Sequence, residues 1–240
     1  KTHGCTRFRL GRKIIMDFSL LHNPDVIAAL KEGFIFTLTV TVLAMMGGIL
    51  IGTPLAMMRL SNNALASNFA KFYVDLFRGI PLIQVIFIFY FLLPKIFEFQ
   101  SDTYWGPLFS SVVTFAIFEA AFFSEIVRSG IQSISKGQVN AGYALGFTYG
   151  QSMRYVVLPQ AFRNMLPVLL TQTIILFQDV SLVYVISAPD FLGRADTLAN
   201  TYGPETKATF YLIVAVVYFC SSFVLSQLVK RLQKKIAIIR

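Results

Sequence analysis

Two long stretches of the chain contain no charged residue, and they constrain the fold more than any other feature. Residues 34–58 form an uncharged run of 25 residues, and residues 208–229 form one of 22. Because an α-helix rises 1.5 Å per residue, about 20 apolar residues cross the roughly 30 Å hydrocarbon core of a bilayer. Only 14% of the 240 residues are charged, whereas about 25% is typical of a soluble domain. These features exclude a water-soluble enzyme and a disordered protein, and they predict an all-α integral membrane protein.

Three further apolar stretches carry only a few charges, and they cover residues 65–94, 105–126 and 164–187. With them the sequence predicts five transmembrane helices in one transmembrane domain over residues 34–229. Within the second predicted helix, Pro81 is expected to distort the helical geometry, because proline lacks a backbone N–H and clashes with the preceding turn. An odd number of helices places the two termini on opposite sides of the membrane.

The basic residues predict the orientation, because Lys and Arg concentrate in cytoplasmic loops. With the N-terminus outside, twelve basic residues after Met16 fall on the inner side and four on the outer side. We therefore expect an outer N-terminal segment over residues 16–33 and a basic cytoplasmic tail over residues 230–240.

Residues 1–15 contain five basic residues and no acidic residue, which breaks this charge pattern. They lack the apolar core of a secretory signal, and Met16 reads as an ordinary start. We expect residues 1–15 to be a non-native or mis-started extension, with a basic arm that binds anionic lipid headgroups as the alternative.

Cysteine and histidine are too few and too scattered to form a metal or haem site. The chain contains Cys5, Cys220, His3 and His22, with no C-x-x-C pair. We therefore predict no metal ligands and no disulfide framework.

One inner loop, residues 128–163, is long but neither rich in glycine and serine nor highly charged. Ala141, Ala144 and Leu145 recur at helical spacing, and Gly137 and Gly146 flank them. The pattern predicts a short helix over residues 141–146 that lies across the cytoplasmic face. A long structured loop in a compact protein usually has a function.

The sequence GQVNAGYALG at residues 137–146, followed by VVLPQAFR at 156–163, resembles the signature loop of the membrane subunits of ATP-binding-cassette importers. In that family Glu-Ala-Ala, three residues, Gly, nine residues and Ile-x-Leu-Pro form the coupling helix. The positions that agree are Ala141, Gly146, Leu158 and Pro159. The positions that depart are Asn140, Gly142 and Val156, where the family has Glu, Ala and Ile.

Other segments are similar to the polar amino-acid permeases of this superfamily: FRGIPL from Phe77, SEIVRSGI from Ser124 and QDVSL from Gln178. The run LFQDVSLVYV from Leu176 is most similar to glutamate/aspartate import subunits. The resemblance covers roughly residues 26–230.

The resemblance implies the transmembrane domain of a type I importer in a bacterial inner membrane, with a periplasmic N-terminus. It implies three kinds of protein partner: a second permease subunit (a copy or a paralogue), an ATPase dimer that binds ATP and Mg, and a periplasmic amino-acid-binding protein. No nucleic acid partner is expected. The chain lacks a GxxxxGK[ST] loop, so we expect a transport subunit that is not an enzyme and binds no cofactor itself. The residues expected to couple to the ATPase are Asn140, Ala141, Gly142, Gly146, Leu158 and Pro159.

Charged and polar residues inside the apolar stretches are candidates for a substrate path, because a buried unpaired carboxylate costs on the order of several kcal/mol. An arginine can bind a carboxylate with two parallel hydrogen bonds, which suits an acidic amino acid. The candidates are Asp179, with Gln178 and Ser181 beside it, Glu119 and Arg78.

These candidates have structural alternatives. Asp179 is alternatively a partner of Arg78 or of backbone donors, and Glu119 a buried hydrogen-bonding residue. Lys71, Asp75 and Arg78 are spaced four and three residues apart, so they could neutralise one another on one helix face.

Two spacings predict contacts between or within helices. Glu125 and Arg128 lie three residues apart, which favours an ion pair near the inner surface. Gly48 and Gly52 form a small-x-x-x-small pattern that suits close helix packing.

The predicted function is import of glutamate or aspartate, and two alternatives stay open. The same machinery could carry another polar amino acid such as glutamine, arginine or histidine. An ion-coupled secondary transporter would use Asp179 and Glu119, but it predicts inverted repeats that the sequence does not show. On the outer side, residues 189–207, with Asp190, Asp196 and Glu205, are expected to help dock the binding protein.

Overall fold

The computed structural model describes residues 18–98 and 104–236, and in these ranges the chain is helical and has no strand. The expectation for residues 1–15 lies outside the described residues. The helices in chain order are α1 (Pro24–Leu60), α2 (Ala64–Gly79), α3 (Leu82–Phe97), α4 (Trp105–Gln132), α5 (Lys136–Ala144), α6 (Tyr149–Ser152), α7 (Leu158–Asp179), α8 (Phe191–Tyr202) and α9 (Lys207–Ile236). A π-helical turn, Met153–Val157, joins α6 to α7, and a 3₁₀ segment, Val180–Ile186, continues α7.

Four helical segments of the described chain are long and apolar enough to cross a membrane: Pro24–Leu60, Trp105–Gln132, Tyr149–Ile186 and Pro204–Ile236. α2 and α3 pass the same test only as a pair, and they meet at an angle of 106°. The all-α membrane architecture is confirmed, with five spans if the bent pair counts as one.

The prediction of one helix over residues 65–94 is wrong. Ile80 takes an extended conformation with φ −100° and ψ 133°, and Pro81 follows it. The residue before a proline is sterically driven out of the α-helical region, so the helix ends there. Pro81 therefore breaks the helix completely.

α1 begins earlier than the hydropathy pattern predicts. Asn23 caps it by accepting a hydrogen bond from the Asp25 N–H, and Pro24 occupies the first turn, where its missing N–H costs nothing. Most of the predicted outer segment 16–33 is thus the first part of α1 and not a separate segment.

α1 and α4 pack closely along their length because glycines lie at the contact. A Cβ atom on Gly52 would lie 2.7 Å from the Ala120 carbonyl oxygen, and one on Gly48 would lie 2.8 Å from the Phe123 ring. The predicted close contact at these two glycines is confirmed.

The main apolar core joins α1, α4 and α7 with the 3₁₀ segment after α7. Its fully buried side chains include Phe36 and Val40 of α1, Phe115 of α4, Leu176 of α7 and Val180. This core holds fixed the two helices that contain the intramembrane carboxylates.

Candidate functional site

The long inner loop is a compact helical hairpin formed by α5 and α6. α5 ends at a glycine in the left-handed region, Gly146, with φ +80°. The Phe147 N–H donates to the Gly142 carbonyl and the Gly146 N–H donates to the Tyr143 carbonyl, at 3.0 and 2.9 Å. These two bonds form a Schellman motif, which requires a positive φ at the residue that glycine occupies here.

A capping box begins α6 directly after the end of α5. The Thr148 N–H donates to the Gln151 Oε1 at 2.9 Å, and the Gln151 N–H donates to the Thr148 Oγ1 at 3.4 Å. The chain thus passes from one helix into the next through two consecutive capping motifs, which fix the angle between the helices.

Gly142 and Ser152 form the closest contact between α5 and α6. A Cβ atom on Gly142 would lie 2.4 Å from the Ser152 Oγ, and both residues are buried. Glycine at this position, where the resembled family has alanine, is therefore explained by the packing of the hairpin itself.

The hairpin is anchored by an apolar cluster on the ends of α1 and α4 that lie nearest to it. Val157 and Ala161 pack with Ala56 of α1 and with Val127 and Ile131 of α4. Because Leu158 and Pro159 begin α7 directly after this cluster, displacement of the hairpin acts on a transmembrane helix without an intervening flexible linker.

The outer surface of the hairpin is exposed and mostly apolar. Leu145 is 74% exposed and Tyr149 is 65% exposed. Ala141 and Gly146 are exposed beside them and contribute little volume, and the Asn140 side chain is exposed without a hydrogen bond to a described residue. This surface suits insertion into a groove of another protein. The predicted helix 141–146 is shifted to α5, Lys136–Ala144, because Gly146 ends the helix instead of lying in it.

Inside the bundle, Glu119 of α4 is completely buried. Its Oε2 accepts a hydrogen bond of 3.0 Å from the Nε2 of Gln172 in α7, whereas its Oε1 has no hydrogen-bond partner among the described residues. A buried carboxylate with a free acceptor oxygen offers a binding position for a donor group.

Asp179 lies two helical turns beyond Gln172 on α7, where the α-helix changes to the 3₁₀ segment. It is close enough to Glu119 to interact with it electrostatically. Gln178 points elsewhere, since its Nε2 donates to the Ser222 Oγ of α9 at 3.0 Å. Ser181 is half-buried in the 3₁₀ segment.

Arg78 lies in a different place, near the C-terminal end of α4. There Glu125 faces three arginines: it pairs with Arg59, with Arg128 at 2.6 Å, and at 3.9 Å with Arg78. The predicted pair of Glu125 and Arg128 is confirmed. Arg78 also lies over the Phe122 ring, 5.7 Å from its centroid.

Two alternative pairings of Arg78 are wrong within the described chain. Its ion pair is with Glu125, and it forms none with Asp179 or with Asp75. Helix spacing alone places these groups near one another, but the contact of α2 with α4 brings Arg78 to Glu125 instead.

The connection between the 3₁₀ segment and α8 is also structured. Asp190 is completely buried and caps α8 by accepting bonds of 3.0 Å from the N–H groups of Leu192 and Gly193. Burial raises the pKa of Asp190 to about 7, although these two bonds oppose the shift. The expectation that Asp190 contributes to a docking surface is wrong, because its side chain cannot reach a partner.

Comparison with known proteins assigns the fold to a family. Residues 48–238 match the family described as the binding-protein-dependent transport system inner membrane component. The chain belongs to this family. It is accordingly a multi-pass inner-membrane permease of the binding-protein-dependent class, as its signature loop predicts, and the match extends from α1 to the end of α9.

Individual relatives support the same assignment. The chain is 48% identical over 213 residues to the glutamate/aspartate import permease protein GltK of Escherichia coli, with 87% of this chain and 93% of the relative covered. It is 34% identical over 222 residues to the arginine transport system permease protein ArtQ of Bacillus subtilis, with 92% and 97% covered. A crystal structure of an amino acid ABC transporter with histidines matches with a TM-score of 0.81 at 30% identity, over 92% of this chain and 99% of that chain.

The permease structure contains two residues that the sequence reading missed, Gln172 and Ser152. Gln172 lies seven residues before Asp179, so the two share a helix face, and that spacing was a usable signal. No sequence pattern singles out Ser152, because its role depends on how closely α5 approaches α6. Among the described residues, no group of three or more His, Cys, Asp or Glu is placed to hold a metal.

Proposed function

We propose that this permease is the membrane subunit of an ATP-driven importer that carries glutamate and aspartate across the bacterial inner membrane. Its N-terminus lies in the periplasm and its C-terminus in the cytoplasm. The observation that carries the proposal is the α5–α6 hairpin, which joins an exposed surface of small and apolar residues rigidly to α7.

The hairpin is the element on which the conformational change of the ATPase acts. A partner ATPase dimer binds ATP and Mg, and its groove receives Ala141, Leu145 and Gly146. The two capping motifs and the Gly142–Ser152 contact make the hairpin move as one body. A second permease subunit completes the translocation path, and a periplasmic binding protein delivers the amino acid.

Glu119 and Asp179 line the path in this proposal. An acidic amino acid carries one ammonium and two carboxylates, so the ammonium is the group that the two carboxylates would hold. The free Oε1 of Glu119 is one acceptor for it, and Gln172 fixes the other oxygen. The side-chain carboxylate of the substrate must then lie away from Glu119, because like charges repel.

The choice of glutamate and aspartate rests on the 48% identity to a glutamate/aspartate permease, against 34% to an arginine permease. The second candidate is import of another polar amino acid by the same machinery. Uptake by proteoliposomes that contain this permease with its ATPase, second permease and binding protein distinguishes the two. Unlabelled glutamate and aspartate should compete with radiolabelled glutamate, whereas glutamine, arginine and histidine should not. Uptake of radiolabelled glutamine without uptake of radiolabelled glutamate would reject the acidic substrate while leaving the family role intact.

Transport that persists without ATP but requires a sodium or proton gradient would reject the ATP-driven mechanism. That result would favour the secondary transporter, in which Glu119 and Asp179 bind the coupling ion.

A further inference from the structure

α2 has three distinct faces, and only one of them is buried in the bundle. On the first face Ala70 and Val74 are completely buried, and Ala70 packs with Leu55 of α1 and Ala120 of α4. The second face is apolar yet exposed, with Phe69 at 58% and Phe72 at 65%. This face consists of Leu65, Phe69, Phe72 and Leu76, which recur at helical spacing. The third face is polar and includes Lys71, Asp75 and Arg78.

α2 lies across the bundle instead of along it. The Ser67 hydroxyl near its start donates to the Arg59 carbonyl at 3.4 Å, and Arg78 near its end faces Glu125. Because Arg59 and Glu125 pair with each other, both ends of α2 contact the same polar cluster, which sets the level of α2 in the bundle. The 106° angle to α3, which runs beside the first half of α4, agrees with this placement.

That level corresponds to a membrane surface. Trp105 at the start of α4 is 73% exposed, as expected of an aromatic residue at one membrane interface. Glu125 lies 20 residues further along (125 − 105), which is about 30 Å in a helix and equals the thickness of the hydrocarbon core. Glu125 and its arginines therefore lie at the opposite interface, on the side of the coupling hairpin.

The contacts also fix which face of α2 points inward. Tyr73, beside the apolar face, donates to the Ile117 carbonyl at 2.6 Å. Arg78, on the polar face, pairs with Glu125, which is eight residues (125 − 117), or about 12 Å, nearer the inner end of α4. The exposed apolar face is thus directed at the bilayer centre and the basic face at the headgroups.

We propose that α2 lies in the plane of the cytoplasmic leaflet and that Lys71 and Arg78 bind the phosphate of an anionic phospholipid. The four exposed apolar side chains insert among the acyl chains, and this arrangement is that of an interfacial amphipathic helix. Charge complementarity selects anionic over neutral lipid, because Arg59 and Arg128 add to the basic field while Glu125 is already paired three times.

The helix orientation is tested by nitroxide labels on the permease, purified from membranes with the subunits that accompany it and placed in nanodiscs. Labels at Phe69 and Phe72 should be relaxed by oxygen, which dissolves in lipid, and labels at Asn68 and Asp75 by aqueous Ni-EDDA. A label at Val74 is the buried control. Relaxation of positions 69 and 72 by Ni-EDDA would overturn the proposal. If neither oxygen nor Ni-EDDA relaxed the labels at positions 69 and 72, the face would contact a protein subunit. That result would also overturn the proposal.

Lipid selection is tested by native mass spectrometry of phosphatidylglycerol retained against phosphatidylcholine. Lys71→Gln should lower the preference about fivefold, the equivalent of about 1 kcal/mol per basic residue near an anionic surface. Asp75→Asn should raise the preference. The matched control is Lys95→Gln, which removes an exposed lysine at the far end of α3 and should change nothing. Equal retention by Lys71→Gln and the unsubstituted chain would overturn the headgroup site.

Discussion

Gly142 of α5 and Ser152 of α6 approach so closely that a Cβ atom on residue 142 would lie 2.4 Å from the Ser152 Oγ and 3.2 Å from its Cβ. Gly142→Ala should therefore separate the two helices at a cost of about 1–3 kcal/mol. The variant should insert into the membrane normally but bind its ATPase more weakly, measured by co-purification.

The same contact predicts a rescue. Adding Ser152→Ala to Gly142→Ala removes the 2.4 Å clash and leaves contacts of 3.2 and 3.7 Å, so ATPase binding should largely return. Gly150→Ala is the matched control, because a Cβ at Gly150 meets no atom within 4 Å. If Gly150→Ala impaired binding as much as Gly142→Ala, the loss would not come from the helix contact.

The Glu119–Gln172 pair separates a structural role from a transport role. Gln172→Leu leaves the buried Glu119 without its only hydrogen-bond donor in the described chain, which should cost about 1–3 kcal/mol and lower the melting temperature. Glu119→Gln keeps the volume and the ability to bond Gln172, so the melting temperature should change little while uptake falls. Unchanged uptake by Glu119→Gln would remove Glu119 from the path.

Three arginines share Glu125 as their acceptor, and removing its charge should destabilise the folded chain. Glu125→Gln leaves Arg59, Arg78 and Arg128 facing one another, and the loss of charged hydrogen bonds should cost roughly 2 kcal/mol. Because salt screens like-charge repulsion, added NaCl should recover part of the melting temperature. Arg128→Gln is the milder comparison, since Glu125 keeps two partners. A salt-independent loss would point to packing instead.

Asp190 should make the stability depend on pH. Its pKa is raised from 3.8 to about 7 by burial, so the folded chain holds the proton more tightly than the unfolded chain does. The stabilisation is complete below about pH 3.8 and is lost as the pH rises through about 7, and the loss between pH 6 and 8 amounts to about 1 kcal/mol. Asn caps helices as well as Asp, so Asp190→Asn should keep the cap and flatten this part of the profile. If the melting temperatures of Asp190→Asn and the unsubstituted chain changed with pH in the same way, the raised pKa of Asp190 would be contradicted.

The sequence predicted what depends on composition and local geometry. Long uncharged runs are enough to place α1 and α9, and the nearly uncharged stretch 105–126 is enough to place α4. The spacing before Gly146 predicts a helix in the long loop, but it predicts neither the bounds of α5 nor the second helix of the hairpin. The break at Pro81 was predicted only as a distortion, because its 106° angle follows from the packing of α2 across α1 and α4. The Glu119–Gln172 and Gly142–Ser152 contacts join residues that are distant or on separate helices, and only the packed bundle determines them.

The central claim, that the hairpin transmits ATP hydrolysis to transport, is tested most directly by ATP-driven glutamate uptake at Gly146. This residue has φ +80° and open space around its Cβ, so substitution acts through the backbone and not through a clash. Valine should disfavour this conformation by about 1–2 kcal/mol, whereas asparagine tolerates it. We expect Gly146→Asn to support uptake, and Gly146→Val to insert normally yet hydrolyse ATP without accumulating glutamate or fail to retain the ATPase. Uptake by Gly146→Val at the unsubstituted rate, with the ATPase bound, would contradict the account.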